Sequence, residues 1–93
     1  MYTVIIPNSV KKDLKKLDKP IVNKILNLFE SLSNNPFQGI SLSGDFSDFR
    51  KVELRQQGIH YRIAYRIIEE KIEVHVLHIG TRENFYAEFK RRI

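Results

Sequence analysis

The chain has 93 residues, with 16 lysines and arginines against 11 aspartates and glutamates and a formal net charge of +5. It has no cysteine, which excludes disulfides and thiolate metal sites and fits a reducing compartment. No apolar run approaches the roughly 18 residues of a membrane span, so we expect one soluble, cytoplasmic domain over residues 1–93 with no membrane partner. The positive excess favours polyanions such as nucleic acid, although many proteins with such a charge bind none.

The first third of the chain predicts a strand and two helices. Residues 2–6 are apolar and rich in β-branched side chains, which is typical of a short strand. Asn8 or Ser9 is placed to cap a first helix, and Asp18 marks the start of a second helix with an apolar stripe over residues 21–32. Because about two residues separate the helices, we expect them to fold back on each other as a hairpin.

The remaining residues predict three strands and a short helix. Turn-forming residues end the helical pattern at 33–36, and the polar, glycine-containing stretch 37–48 predicts a loop. The pattern then changes to alternation, which predicts strands over 49–54, 60–68 and 72–79. Phenylalanines spaced by four after the last strand predict a terminal helix.

The predicted order is therefore β-α-α-β-β-β-α, an α+β fold. Three consecutive strands form a small antiparallel sheet, and the N-terminal strand pairs at an edge. The helical hairpin covers one face of the sheet and leaves the other face partly open.

The common nucleophile and metal patterns are missing. No Gly-x-Ser-x-Gly sequence is present. His75 and His78 are three apart on a strand, so they are predicted to point to opposite faces and to make a poor metal pair. His60, at a strand start, is interpreted as a surface histidine. We therefore expect no metal and no cofactor.

Basic side chains gather on the face that the helical hairpin leaves open. Alternation puts one lysine, one glutamate and one arginine on the same side of the strand predicted at 49–54. An arginine in the strand predicted at 60–68 occupies an alternate position that can face the same side. An arginine and a tyrosine four apart would share one side of the terminal helix. The six residues are Lys51, Glu53, Arg55, Arg62, Arg82 and Tyr86. Such a set suits RNA cleavage by acid–base and charge stabilisation, although alternating charges are also typical of a solvated sheet face.

A second basic surface lies on the outer side of the first helix. Its lysines could contact RNA backbone or could only be solvated. They are Lys11, Lys12, Lys15 and Lys16.

The second half of the chain resembles the RelE/ParE toxin superfamily. The sequence Lys-Val-Glu-Leu-Arg at 51–55, followed by Gly58 and Tyr-Arg-Ile-Ala-Tyr at 61–65, is similar to the central hairpin of RelE toxins. Residues 74–86 are similar to the last strand of that family and to its Gly-x-Arg-x-x-x-Tyr ending. The predicted element order extends the resemblance over the rest of the chain.

The resemblance implies the toxin of a type II toxin–antitoxin system, a ribosome-dependent endonuclease that cuts mRNA by 2′-hydroxyl attack without a metal. Its partners would be a cognate antitoxin, the ribosome and mRNA. By position, Lys51 matches a lysine proposed in acid–base work, and Arg55 a further basic residue. Arg62 matches an arginine that stabilises phosphate charge, and Arg82 one that stabilises charge and protonates the leaving oxygen. Tyr86 matches a tyrosine that stacks on or orients the nucleotide.

Glu53 departs from the RelE pattern, which has a second lysine there that is proposed as the general base. Either Glu53 or Lys51 could then be the base in this chain. Two other functions remain open: a ParE-like toxin that inhibits DNA gyrase without nuclease activity, and a scaffold that only binds its antitoxin.

Overall fold

A computed structural model describes residues 1–93 and confirms the α+β class. Its helices and strands are β1 (Thr3–Ile5), α1 (Asn8–Lys15), α2 (Lys19–Asn34), β2 (Ile40–Ser41), β3 (Arg50–Gln56), β4 (Ile59–Ile68), β5 (Glu73–Thr81) and α3 (Phe85–Arg92). None of the helices combines the length and the apolar character that a membrane crossing requires.

The strands form one five-stranded sheet in the order β1-β5-β4-β3-β2. The predicted edge position of β1 is confirmed, but β1 runs parallel to β5, so the sheet is mixed and not purely antiparallel. The parallel pairing is possible because the helical hairpin and β2–β4 separate β1 from β5 along the chain, and no tight turn joins the two strands.

The segment 37–48, predicted as a loop, contains the short strand β2, which the sequence did not predict. Ile40 pairs with Lys51 and Ser41 with Arg50, and Leu42 is buried beside them. A strand of two residues is too short to show alternation, which is why the sequence pattern missed it.

Both N-terminal helices begin after an extended N-cap residue whose side chain makes no capping hydrogen bond. Pro7 is extended and is the N-cap of α1, and its carbonyl accepts hydrogen bonds from the N–H groups of Val10 and Lys11. The predicted cap at Asn8 or Ser9 is therefore wrong, because Asn8 is already helical. The predicted start of α2 is confirmed, with Asp18 as its N-cap.

The helical hairpin packs on one face of the sheet and forms the larger core. Full burial of an aliphatic or aromatic side chain stabilises a fold by about 1.5–3 kcal/mol, so this cluster is the main source of stability. Its buried members are Val10, Ile21, Ile25, Phe29, Leu32, Val52, Tyr61, Ile63, Tyr65, Val74, Val76 and Ile79.

The C-terminal helix α3 packs on the opposite face, where it forms a smaller core. The two phenylalanines spaced by four, Phe85 and Phe89, are fully buried there against Ala64 and Leu42. Part of the face that was predicted to be open is therefore covered, and the part near the β3–β4 turn remains open.

A bulge between β4 and β5 changes the direction of one histidine. Ala64 opposes His78, whereas the next residue, Tyr65, opposes Val76. The extra residue shifts the alternation and turns His78 to the α3 side, where it is 2% exposed. His75 alternates with Val76 and lies on that side too, so the prediction of opposite orientations is wrong.

Tyr65 joins β4 to the segment before β2. Its buried hydroxyl donates a hydrogen bond to the carbonyl of Pro36 (2.6 Å) and accepts one from the N–H of Gly39 (3.0 Å). A Cβ atom at Gly39 would overlap that hydroxyl and lie 2.7 Å from the carbonyl oxygen of Lys51, so only glycine allows the close approach.

Tyr65→Phe should lower the free energy of unfolding by about 1–3 kcal/mol, because it leaves a buried N–H and a buried carbonyl without partners. Urea unfolding measures the loss. Tyr61→Phe is the matched control, since it removes a hydroxyl from a buried ring of the same strand and keeps both hydrogen bonds. Equal stability of the wild type and Tyr65→Phe would contradict this role for the hydroxyl.

Candidate active site on the open sheet face

The turn between β3 and β4 sets the geometry of the site. Gln57 and Gly58 both have positive φ, 52° and 78°, as a two-residue type I′ hairpin turn requires. The turn pairs Gln56 with Ile59, and the two strands continue from there without a bulge. Because side chains alternate along each strand, this register decides which residues share the open face.

Three cross-strand rows of side chains lie on that face. From the turn inward the rows are Arg55–His60, Glu53–Arg62 and Lys51–Ala64. Opposed Cβ atoms in such rows are about 5 Å apart, and successive rows are about 7 Å apart along the strand. The predicted gathering of a lysine, a glutamate and two arginines on one face is confirmed.

Glu53 lies between the positively charged side chains of this face. Its Oε1 atom lies 2.8 Å from Nε of Arg62 and 3.7 Å from Nζ of Lys51. Partial burial acts to raise the pKa of the Glu53 carboxyl, but the Arg62 hydrogen bond and the charges of Arg62, Lys51 and Arg82 together hold that pKa below its usual range. The carboxylate is therefore charged at neutral pH and is a weak base.

Two rings at the start of α3 border Arg62. Its guanidinium carbon lies 5.8 Å from the ring centroid of Phe85 and 6.0 Å from that of Tyr86. The Phe85 ring is buried and the Tyr86 ring is half-exposed. Cation–π attraction to the rings and the bond to Glu53 restrict the guanidinium, so its position is set before any ligand binds.

Arg82 reaches the site from a turn and not from a helix. Its N–H donates to the carbonyl of His60 (3.0 Å), which extends the β4–β5 ladder one residue beyond β5. Because α3 begins at Phe85 with Asn84 as its N-cap, the predicted helical relation between Arg82 and Tyr86 is wrong. The ladder nevertheless places Arg82 close enough for its charge to lower the pKa of Glu53.

The lysines of α1, and Lys16 directly after it, are exposed, and no hydrogen bond or ion pair links them to Lys51, Arg62 or Arg82. Lys16 lines a cavity of about 330 Å³ between α1 and α3, together with Thr81 and Asn84. An ion pair of 2.8 Å between Asp13 of α1 and Arg92 of α3 holds the two helices together there. The other three lysines, at positions 11, 12 and 15, lie on the outer surface of the same helix.

Two residues of this face were not identified from the sequence. The spacing of the phenylalanines predicts Phe85 only as part of the terminal helix, and no sequence pattern indicates that its ring also borders Arg62. His60 was set aside as a surface histidine, although strand alternation had already put it on the same side as Arg62. The structure places His60 in the row between Arg55 and Arg82.

Residues 4–90 match a protein family described as the ParE-like toxin of type II bacterial toxin–antitoxin systems. The chain is 32% identical over 90 residues to the mRNA interferase toxin RelE of Escherichia coli K12, an alignment that covers 92% of this chain and 79% of that protein. It is 28% identical over 82 residues to a putative RelE-like toxin protein of Escherichia coli, covering 88% and 84% of the two chains.

Solved structures of related toxins have the same fold. A doubly substituted form of the E. coli toxin RelE in the free state superimposes with a TM-score of 0.78 at 23% identity, covering 98% of this chain and 92% of that one. The toxin–antitoxin complex RelBE2 from Mycobacterium tuberculosis matches with a TM-score of 0.74 at 28% identity, covering 87% of this chain and 98% of the other. At 23% identity the first similarity concerns the fold alone.

We expect the Glu53 carboxyl to titrate below its ordinary value of 4.5 and the Arg62→Ala substitution to raise its pKa, because the substitution removes both a hydrogen bond and a positive charge. Carboxyl-detected NMR titration of the two proteins measures the change. Any stability that this carboxylate contributes is complete above its unfolded pKa and is lost as the pH falls through the lowered folded pKa. An unchanged pKa in Arg62→Ala would contradict the described geometry.

Proposed function

This chain belongs to the ParE-like toxin family of type II bacterial toxin–antitoxin systems, and on that basis we propose that it is a ribosome-dependent mRNA endonuclease of the RelE type. The proposal depends chiefly on one observation: Lys51, Arg62 and Arg82 surround a single exposed face that also carries Tyr86. The RelE relatives, named mRNA interferases, support the same activity.

The arginines are suited to hold the scissile phosphate. Glu53 binds Arg62 through Nε, so the two terminal nitrogens of that guanidinium remain available to phosphate oxygens. Arg82 brings a second guanidinium to the same face. As the phosphorane forms, its extra negative charge is stabilised by Arg82 and by Arg62, whose guanidinium is already held by Glu53 and the two rings. The exposed ring of Tyr86 lies beside Arg62 and would stack on or orient a nucleotide.

The reaction needs no metal. The 2′-oxygen attacks the adjacent phosphorus and forms the O2′–P bond, while the P–O5′ bond breaks and its electron pair leaves with O5′. A base takes the 2′-hydroxyl proton, and an acid gives a proton to O5′. The products are a 2′,3′-cyclic phosphate and a 5′-hydroxyl.

Glu53 and Lys51 have different roles in this reaction. A carboxylate whose pKa is lowered by its cationic neighbours accepts protons weakly, so Glu53 serves mainly to position Arg62 and Lys51. Lys51 carries an ammonium group that can donate a proton to the leaving oxygen. Its side chain is 20% exposed and lies one row further from the turn than Arg62.

The partners of this function are the ribosome, mRNA and a cognate antitoxin in the cytoplasm. Structures of related toxins include toxin–antitoxin complexes, among them RelBE of E. coli and RelBE2 of M. tuberculosis. An antitoxin segment that covers the basic face would block access of RNA to Arg62 and Arg82. Arg55, in the row nearest the turn, would contact RNA phosphates beside the scissile one.

Arg62→Ala and Arg82→Ala should each reduce mRNA cleavage by at least about 10²-fold, the scale for loss of one transition-state charge contact. Primer extension on mRNA cleaved with purified ribosomes measures this. Arg66→Ala is the matched control, because Arg66 is exposed on the same strand but stacks on Phe49, away from the site. Circular dichroism should show that all three variants fold.

Full activity of both variants would show that the cationic face takes no part in catalysis. If the wild-type chain inhibited DNA gyrase and cleaved no mRNA, the ParE-like function would replace the proposed one.

Replacing the four lysines of α1 with glutamine should weaken ribosome binding and flatten its salt dependence, by about 0.7–0.9 in logarithmic slope for each lost phosphate contact. Binding is measured at several salt concentrations. The charge-matched control neutralises four exposed cations elsewhere, namely Lys19, Lys71, Lys90 and Arg91. If the α1 variant and the control variant bound ribosomes with the same affinity and the same salt dependence, the α1 lysines would only solvate the helix.

A further inference from the structure

His60 occupies a position in the candidate site for which the function proposed above has no role. It lies opposite Arg55 of β3, and its carbonyl accepts the N–H of Arg82 on the other side. Two residues further along β4, on the same face, is Arg62. The imidazole is therefore placed in a row between two arginines and next to the residue that would hold the scissile phosphate.

The other side chains of the face are poorly suited to accept a proton. Guanidinium groups cannot lose one in proteins, and ammonium and phenol groups ordinarily keep theirs at neutral pH. Glu53 is charged, but Arg62 and Lys51 both contact its Oε1 atom, and the positive charges around the carboxylate make it a weak base. Imidazole is the side chain that exchanges a proton near neutral pH, and its neutral form has a free lone pair.

We infer that His60 is the general base that removes the proton from the 2′-hydroxyl group of the substrate. The inference rests on the proposed function. By strand register the side chains next to His60 on this face are Arg55 of β3 and Arg62 of β4, with Arg82 after β5 on its other side. Glu53 and the Tyr86 ring both contact Arg62, one row further along.

The order of residues across the face fits an in-line displacement. His60, Arg62 and Lys51 occupy three successive rows, and each row is about 7 Å from the next. A phosphate held at Arg62 would thus have a proton acceptor on one side and a proton donor on the other. In-line attack requires this arrangement, because the 2′-oxygen and the 5′-oxygen lie on opposite sides of the phosphorus.

The proton balance of the step is complete without another reactant. The neutral imidazole of His60 takes the 2′-hydroxyl proton as the O2′–P bond forms, and Lys51 gives a proton to O5′ as the P–O5′ bond breaks. The site is left with an imidazolium and a neutral amine, and proton exchange with water restores both.

His60→Gln should reduce cleavage of ribosome-bound mRNA at neutral pH by at least about 10²-fold and should remove one ionisation from the pH–rate profile. Added imidazole should restore part of the activity of His60→Ala. The matched control is His75→Gln, since His75 lies on the same side of the sheet but opposes Arg66 and binds Glu73 at 2.9 Å. It should cleave like the wild type.

A substrate with sulfur in place of the bridging 5′-oxygen distinguishes a base from an acid, because the thiolate leaves without protonation. On this mRNA the Lys51→Ala variant should recover its activity, and His60→Gln should stay impaired. Recovery of His60→Gln would overturn the assignment of His60 as the base. Wild-type-like cleavage by His60→Gln, with Arg62→Ala inactive, would overturn the inference and leave the proposed function intact. A wild-type chain without any cleavage would overturn both.

Discussion

The register of the β3–β4 hairpin determines which side chains share the open face of the sheet. A two-residue turn at Gln57 and Gly58 fixes it, because both residues adopt the left-handed conformation that a type I′ turn needs. That register puts Glu53 opposite Arg62, and a slip of one residue would turn each charge on the shifted strand toward the hydrophobic core. The ion pair and the order of the rows follow from this turn, which also puts Arg62 on the face where α3 supplies Phe85 and Tyr86.

The packing on the two faces of the sheet explains why the site is open where it is. The helical hairpin closes one face with a continuous apolar core, and α3 closes only one end of the other face through Phe85 and Phe89. Ala64, the small residue of the third row, leaves room for those rings. The positively charged side chains therefore lie on the uncovered part of this face, bordered by the aromatic rings of α3.

Much of the fold could be predicted from the sequence, because periodicity reports burial directly. The stripe of α2 and the alternation of β3 and β4 gave the right faces. The parts that were missed depend on tertiary contacts: β2 is too short to have a period, and the bulge that turns His78 inward has no local signal. The grouping of Lys51, Glu53, Arg55 and Arg62 on one face was predicted by strand parity, whereas the setting of Arg82 in a turn required the observed start of α3.

We propose that this cationic face cleaves RNA through the 2′-hydroxyl group of the substrate, and the chemistry of the cut ends distinguishes this route from others. Ribosomes carrying an mRNA with ribose throughout, or with one 2′-deoxynucleotide before the scissile phosphate, are incubated with the wild-type protein. We expect the all-ribose mRNA to yield a 2′,3′-cyclic phosphate and a 5′-hydroxyl end, and the deoxy-substituted mRNA to stay intact at that position. Cleavage after the deoxynucleotide, or fragments with 5′-phosphate ends, would show that the 2′-hydroxyl group is not the nucleophile.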